Sequence, residues 1–157
     1  MVKRIFEHSI VIQAPTERVI YALSHYEYFL EHHIHRNLAR VNLMSEERGP
    51  DGIVRRRYRN SERVRLGPFP LLVSNTATSY VDADGVTVVG EAVQWPRIHI
   101  MTRSRCTAHG AGATQVEEAL IVEAPWVLFR TTFTQAKQAH EEKFVRLAQA
   151  LAGREPS

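Results

Sequence analysis

The stretch that begins at Trp126 constrains this chain most. Trp126, Phe129, Phe133, Ala136, His140, Phe144, Leu147 and Leu151 recur at three- and four-residue steps. That spacing stacks side chains on one side of an α-helix. Gln135, Lys137, Gln138, Glu141, Glu142, Arg146 and Gln149 fall largely on the other side. Ala124-Pro125 precedes the run, and Gly153 and Pro156 follow it, residues suited to helix boundaries. A helix of roughly seven turns with one long apolar stripe has to lie against a large partner.

The rest of the chain supplies that partner as a sheet. Phe6, His8, Ile10 and Ile12 alternate in a half-buried strand pattern, which Ala14-Pro15 stops. Pro15 suits a first helical turn, and Val19, Ala22, Leu23, Tyr26, Phe29 and Leu30 follow at helical spacing. The aromatic and histidine-rich stretch from Leu23 to His35 breaks into a second short helix or a loop. Six strands are then expected: Leu38 to Met44, Ile53 to Leu66 (one long strand or a bent pair), Leu71 to Val81, Val86 to Gln94, Arg97 to Thr107 and Thr114 to Glu123. Gly67-Pro68, Asp82-Ala83-Asp84-Gly85, Trp95-Pro96 and Gly110-Ala111-Gly112 punctuate them. Short connections between successive strands make an antiparallel meander. Residues from Ala152 to Ser157 read as a frayed tail.

Composition fits this reading and narrows the function classes. With 157 residues, 44% of them hydrophobic, the chain suits one domain spanning residues 1–157 with a genuine core. A charged fraction of 24% points to neither disorder nor a fibre. The lone cysteine, Cys106, excludes an intrachain disulfide, which fits a reducing compartment. It sits in an alternating apolar run with no base nearby in sequence and reads as a small core residue. No apolar stretch reaches signal-peptide or membrane-spanning length, so a cytoplasmic protein without a membrane span is expected. The pI is about 9.3, and the basic surplus gathers at Arg55, Arg56, Arg57, Arg59, Arg63 and Arg65. All but Arg56 share one strand parity and decorate one face. A nucleic-acid-binding module would use such a stripe, but only Tyr58 is near it and on the opposite parity, so the stacking platform of single-strand binders is missing. A solvated sheet face is the simpler reading.

Strand, two short helices, six-strand meander and long terminal helix give the order β-α-α-β6-α. The run Ile12-Gln13-Ala14-Pro15-Thr16-Glu17-Arg18-Val19, the aromatic link Tyr21 to Leu30 and the helix after Ala124-Pro125-Trp126 resemble the START/Bet v 1-like (SRPBCC) superfamily. The likeness is nearest to the polyketide cyclase/dehydrase and coenzyme Q-binding groups. Ile20 stands where many relatives carry tryptophan, and Tyr28 and Glu31 where cyclase-like members often carry proline. The resemblance implies an α+β helix-grip fold: a curved antiparallel seven-strand sheet wrapped around the C-terminal helix, with two short helices after the first strand. It implies a cavity beneath that helix. Members bind sterols, lipids, polyketides, plant hormones or quinones, and some catalyse cyclisation or dehydration; the fold does not choose among these.

A pocket needs apolar walls and a few converging polar groups. Trp126, Phe129, Phe133 and Phe144 are the expected helical wall, with Trp95, Ile100 and Thr102 opposite; the alternative is a fully packed core. Strand parity sets Val54, Arg56, Tyr58, Val64 and Leu66 on one face. Val89, Glu91, Val93 and Trp95 form a second set, and Val116, Glu118, Leu120 and Val122 a third. Ile98, Ile100, Thr102, Ser104 and Cys106 form a fourth. If these faces are concave, Arg56, Tyr58, Glu91 and Glu118 point inward, and Arg56 needs Glu91 or Glu118 as partner. A bulge between Arg59 and Arg63 would instead turn Arg56 to water. His140 is a general acid/base or a core-edge histidine. His25, His32, His33 and His35 lack helical zinc spacing and read as a solvent-facing or pocket-rim cluster, so no metal is expected. No phosphate loop, nucleophile elbow or paired-carboxylate motif is present, and no cofactor is expected.

The functional expectation is binding or transport of a hydrophobic or aromatic small molecule, such as a lipid, a quinone or a polyketide-like compound. The alternative is a cyclase or dehydratase using some of His140, Tyr58, Arg56 and Glu118. The pattern carries no expectation about oligomeric state.

Overall fold

The computed structural model describes residues 1–152, apart from the side chain of Leu66. The boundary signals at Gly153 and Pro156, and most of the expected tail, lie outside the described residues. The chain runs β1 (Val2–Ile12), α1 (Thr16–Ser24), α2 (Tyr26–Glu31), β2 (Leu38–Arg48), β3 (Val54–Leu66), β4 (Phe69–Val81), β5 (Thr87–Gln94), β6 (Ile98–Ala108), β7 (Thr114–Ala124) and α3 (Trp126–Ala152). The strands form one antiparallel sheet in the order β1-β7-β6-β5-β4-β3-β2. Only β1 is out of sequence: it pairs with the last strand, from Val2↔Ala124 to Ile12↔Thr114. The helices α1 and α2 therefore carry the chain from one edge of the sheet to the other. No described helix is long and apolar enough to cross a membrane.

Side-chain bonds fix these helices over the sheet. Pro15 caps α1 rather than entering it, and its carbonyl accepts from the Arg18 and Val19 amides. Thr114 on β7 donates to the Ala14 carbonyl at 2.8 Å. At the other end of α1, the buried Ser79 hydroxyl on β4 donates to the Ser24 carbonyl at 2.8 Å. These bonds place α2, with Tyr26 and Phe29, above the concave face.

Two apolar clusters result. One gathers Val19, Ala22, Leu23, Phe29, Ile34, Val88, Cys106 and Val116 with Phe144, Leu147 and Leu151 from the second half of α3. The other joins Ile98, Leu120, Val122 and Ala124 to Phe129 and Ala136. Cys106 is fully buried, and burial pushes its thiol up to about 12.

Strand faces follow the expected parity except on β5. The β3 strand is continuous, and its register with β4 runs unbroken from Arg55↔Tyr80 to Leu66↔Phe69. The possible bulge between Arg59 and Arg63 is therefore absent there; the irregularities lie on β2, at Leu38/Arg40 and Leu43/Ser45. Tyr58 and Asn60 are buried, while Arg57, Arg59, Arg63 and Arg65 are exposed as a solvated face. Arg56 has Tyr58's parity, but it lies near the strand's start and bonds Glu46 at 3.0 Å, not Glu91 or Glu118. On β5 the expected parity is inverted: Gly90, Ala92 and Gln94 face inward, while Val93 is exposed and Glu91 pairs outside with His99 at 2.6 Å. Hydrophobic size misleads here. Gly90 has no side chain because Tyr26 and Thr102 come close: a Cβ there would sit 2.8 Å from the Thr102 hydroxyl and 3.4 Å from that of Tyr26.

Candidate functional site

A cavity of about 610 Å³ lies between the concave faces of β3–β6, Tyr26 and Phe29 of α2, the segment His35–Leu38 and α3. That is ample for a small organic ligand. A shallower depression of about 380 Å³ beside Ala39, Arg63 and Leu72 has no acid or histidine in its lining.

The helical wall is not the expected one. Val127, Leu128, Thr131, Thr132, Gln135, Ala136, Ala139, His140 and Lys143 line the cavity, a stripe rotated one position from the aromatic one. Phe129 and Phe133 stack on each other at 5.6 Å, under the Arg4 guanidinium of β1. Phe144 packs in the first cluster against His8. Trp126 is 76% exposed. Of the expected wall, these four are thus absent from the lining. Phe129, Phe133 and Phe144 seat α3 on the sheet, and the neighbouring stripe, with Thr131, Thr132, Ala136 and Ala139 at its centre, leaves the hollow. This is a packing rule: large side chains fill space, and a cavity persists where alanine, glycine and threonine face one another.

Of the other sequence candidates, His140, Trp95, Ile100 and Thr102 line the cavity. Tyr58 lies behind it, its ring against Tyr26 and its hydroxyl donating to Glu27 at 3.2 Å. Arg56 and Glu91 are elsewhere, as described. Glu118 is buried behind His140, Lys143 and Ser104, and organises them.

Glu118 accepts four hydrogen bonds, two on each oxygen. His8 Nε2 and His140 Nδ1 approach Oε1, each at 3.0 Å; Ser104 Oγ and Lys143 Nζ approach Oε2 at 2.9 and 2.8 Å. This uses the full acceptor capacity of a carboxylate. Burial alone would raise its pKa, but Lys143, His140 and the histidine hydrogen bonds overcome this and hold the group well below the usual carboxylate range. Burial and Lys143 in turn lower the pKa of His140, which is therefore neutral near pH 7. Lys143 Nζ also lies 3.0 Å from His140 Nδ1. One nitrogen cannot donate to Glu118 and accept from Lys143 at once. We assign the Nδ1 proton to the carboxylate, the stronger acceptor, which leaves Nε2 with its lone pair.

A second polar group lies on β3 and β4. Glu62 lines the cavity with a quarter of its side chain open, 3.8 Å from His35 Nε2. Burial raises the Glu62 pKa to about 7 and, with His140 and Lys143 adding repulsion, lowers that of His35 to about 3. Asn60 and Asn75 pair across β3 and β4 and also line the cavity. Tyr26 feels both carboxylates, Glu62 and Glu118, and its phenol is pushed far above its ordinary value, chiefly by burial. Two carboxyl groups thus meet opposite surroundings: Glu118, ionised behind the wall, and Glu62, readily neutral in the lining.

Sequence reasoning missed Glu62, Asn60, Asn75 and Lys143. Asn60 and Glu62 share the parity of Tyr58 and Val64, the one available signal. His35 belongs to the cavity, whereas His25 stacks on Tyr21 and the His32 ring lies tilted against that of Tyr28.

No protein-family model matches the sequence, and no curated protein matches it. Solved structures do. TTHA0849 from Thermus thermophilus superposes with a TM-score of 0.69 at 17% identity, covering 98% of this chain and 100% of that one. The Zhui aromatase/cyclase from Streptomyces sp. R1128 gives 0.68 at 16%, covering 97% and 93%. A START superfamily protein from Mycobacterium smegmatis gives 0.62 at 17%, covering 96% and 95%. With Ara h 8.0201 also similar, at a TM-score of 0.70 and 11% identity over 98% of this chain and 100% of that one, the chain has the helix-grip fold of START and Bet v 1-like proteins.

Proposed function

We propose that this protein binds a hydrophobic small molecule in the cavity beneath α3. The observation that carries the reading is the hollow itself: about 610 Å³, walled largely by apolar side chains and kept open by Gly90, Ala92, Ala136 and Ala139. Filling it is the test. Nile red is expected to bind the wild type in a one-to-one complex. Ala139→Phe should weaken that binding at least ~10-fold, by occupying ligand space, with an unchanged circular dichroism spectrum. Equal affinity in the two proteins would remove the reading.

A second reading, a dehydratase, is favoured by one observation: Glu62 and neutral His140 line the same cavity. His140 Nε2 would take a proton from carbon next to a carbonyl, while the Glu62 carboxyl protonates the departing hydroxyl. The products are water and a carbon–carbon double bond. Wild-type protein is then expected to convert a β-hydroxyketone to its enone, and Glu62→Gln to abolish conversion while retaining Nile red affinity. No conversion, or conversion unaltered in the variant, sinks this reading.

A further inference from the structure

Asn60 and Asn75 occupy directly opposed positions on β3 and β4. The Thr76↔Val93 pair then brings Gln94 of β5 alongside Asn75. All three line the cavity, so a row of amides crosses three strands of its floor, with Glu62 one inward position further along β3. Asn60 is 1% and Asn75 6% exposed, yet neither side-chain oxygen has a hydrogen-bond partner among the described residues. Buried polar atoms are nearly always paired, so two orphaned side by side on a cavity wall mark where a guest's polar group belongs.

We infer that this amide row seats a hydroxyl group, and that the cavity selects neutral hydroxylated apolar molecules over both plain hydrocarbons and carboxylates. The inference rests on the binding reading above. An amide end presents an acceptor and a donor whichever way it is turned, and a hydroxyl is the small neutral group that answers both. A hydrocarbon leaves the oxygens orphaned. A carboxylate only accepts, and would set negative charge beside two amide oxygens. Of the two cations in the lining, Lys143 is already bonded to Glu118 at 2.8 Å and is 5% exposed, and Arg65 belongs to the exposed outer face of β3, so neither is held in the cavity to draw an anion.

Three probes on one skeleton test this by displacement of Nile red at pH 7: 2-naphthol, naphthalene and 2-naphthoate. The wild type should bind 2-naphthol at least ~10-fold more tightly than either other probe, the scale set by leaving buried polar groups unpaired. The double replacement Asn60→Leu and Asn75→Leu should abolish that preference and leave naphthalene affinity in place. Equal binding of 2-naphthol and naphthalene overturns the inference alone, as does tightest binding of 2-naphthoate or a preference that survives the replacement. No binding of any compound, Nile red included, overturns the cavity reading with it. The wild-type series stands without any variant, so a replacement that fails to fold does not spoil the test.

Discussion

Replacing Lys143 with methionine is expected to lower the unfolding free energy by about 3–5 kcal/mol at pH 8, because it strands a buried carboxylate. Glu118 and Lys143 have side-chain exposures of 1% and 5%, and their bond is 2.8 Å. Of the remaining donors, Ser104 is neutral, His140 is held neutral by burial and by Lys143 itself, and His8 keeps its bond to the other oxygen, so Oε2 loses its only cation. The replacement removes that second influence while the attraction of Glu118 remains, so the His140 pKa rises. A His140 that takes its proton more readily in the variant than in the wild type favours the variant as pH falls. The deficit should therefore shrink between pH 8 and pH 6. Urea unfolding followed by circular dichroism at both values measures it. Adding Glu118→Leu should restore most of the loss, because an apolar pair can replace a buried ion pair. A loss below about 1 kcal/mol at pH 8, the scale of a surface pair, would show that Glu118 is not the dry anion described.

The second large effect belongs to Glu62 and appears as pH dependence. Its pKa is about 7 in the folded protein against an ordinary 4.5. Between those values the folded state keeps a proton that the unfolded state releases, so stability falls as pH rises from 4.5 to about 7 and then levels off. The shift corresponds to roughly 3 kcal/mol. His35 acts in the opposite sense. Its folded value of about 3 lies below the ordinary 6.5, so its contribution is lost as pH falls through that range. The summed profile hides both, and the difference between Glu62→Gln and wild type isolates one. That difference should move in the variant's favour by about 3 kcal/mol from pH 4 to pH 8. Parallel stability curves would mean that Glu62 is ionised like a surface acid.

The meander from β2 to β7 and most boundaries could be read from the sequence, because the turns are written in residues with few alternatives, whereas the pairing of β1 with β7 has no local signal. Gly67 and Gly85 adopt φ of 62° and 74°, conformations that other side chains resist, and each closes a hairpin where the turn residues predict one. The α3 stripe was legible too, but its meaning was not. A hydrophobic pattern reports large residues, whereas Gly90, Ala92, Ala136 and Ala139, which leave room for the hollow, add little to it. The same logic turned β5 inside out, with Val93 outside and Gly90 and Ala92 within. Lys143 was illegible for another reason. A lysine on an amphipathic helix belongs in water unless something far away claims it, here Glu118, 25 residues earlier. Glu62 sits between Ser61 and Arg63 in a stretch whose charges are otherwise solvated, and only the fold gives it a dry side.

The four-donor shell around Glu118 also bears on how a guest would come and go. Its donors arise from β1, β6 and α3, the first of them 110 residues before Glu118. Lifting the middle of α3 away from the sheet would break two of these bonds and uncover an anion in apolar surroundings, so that route is costly. The mouth beside the first turns of α3 is different. Trp95 is 87% and Val127 64% exposed there, and the Gln135 side chain reaches across to the Arg65 carbonyl at 3.0 Å. Exchange through that opening requires rotating side chains that already face water and loosening one hydrogen bond. A guest using that opening would need only side-chain and loop motion, on the nanosecond-to-microsecond scale, and no undocking of the helix.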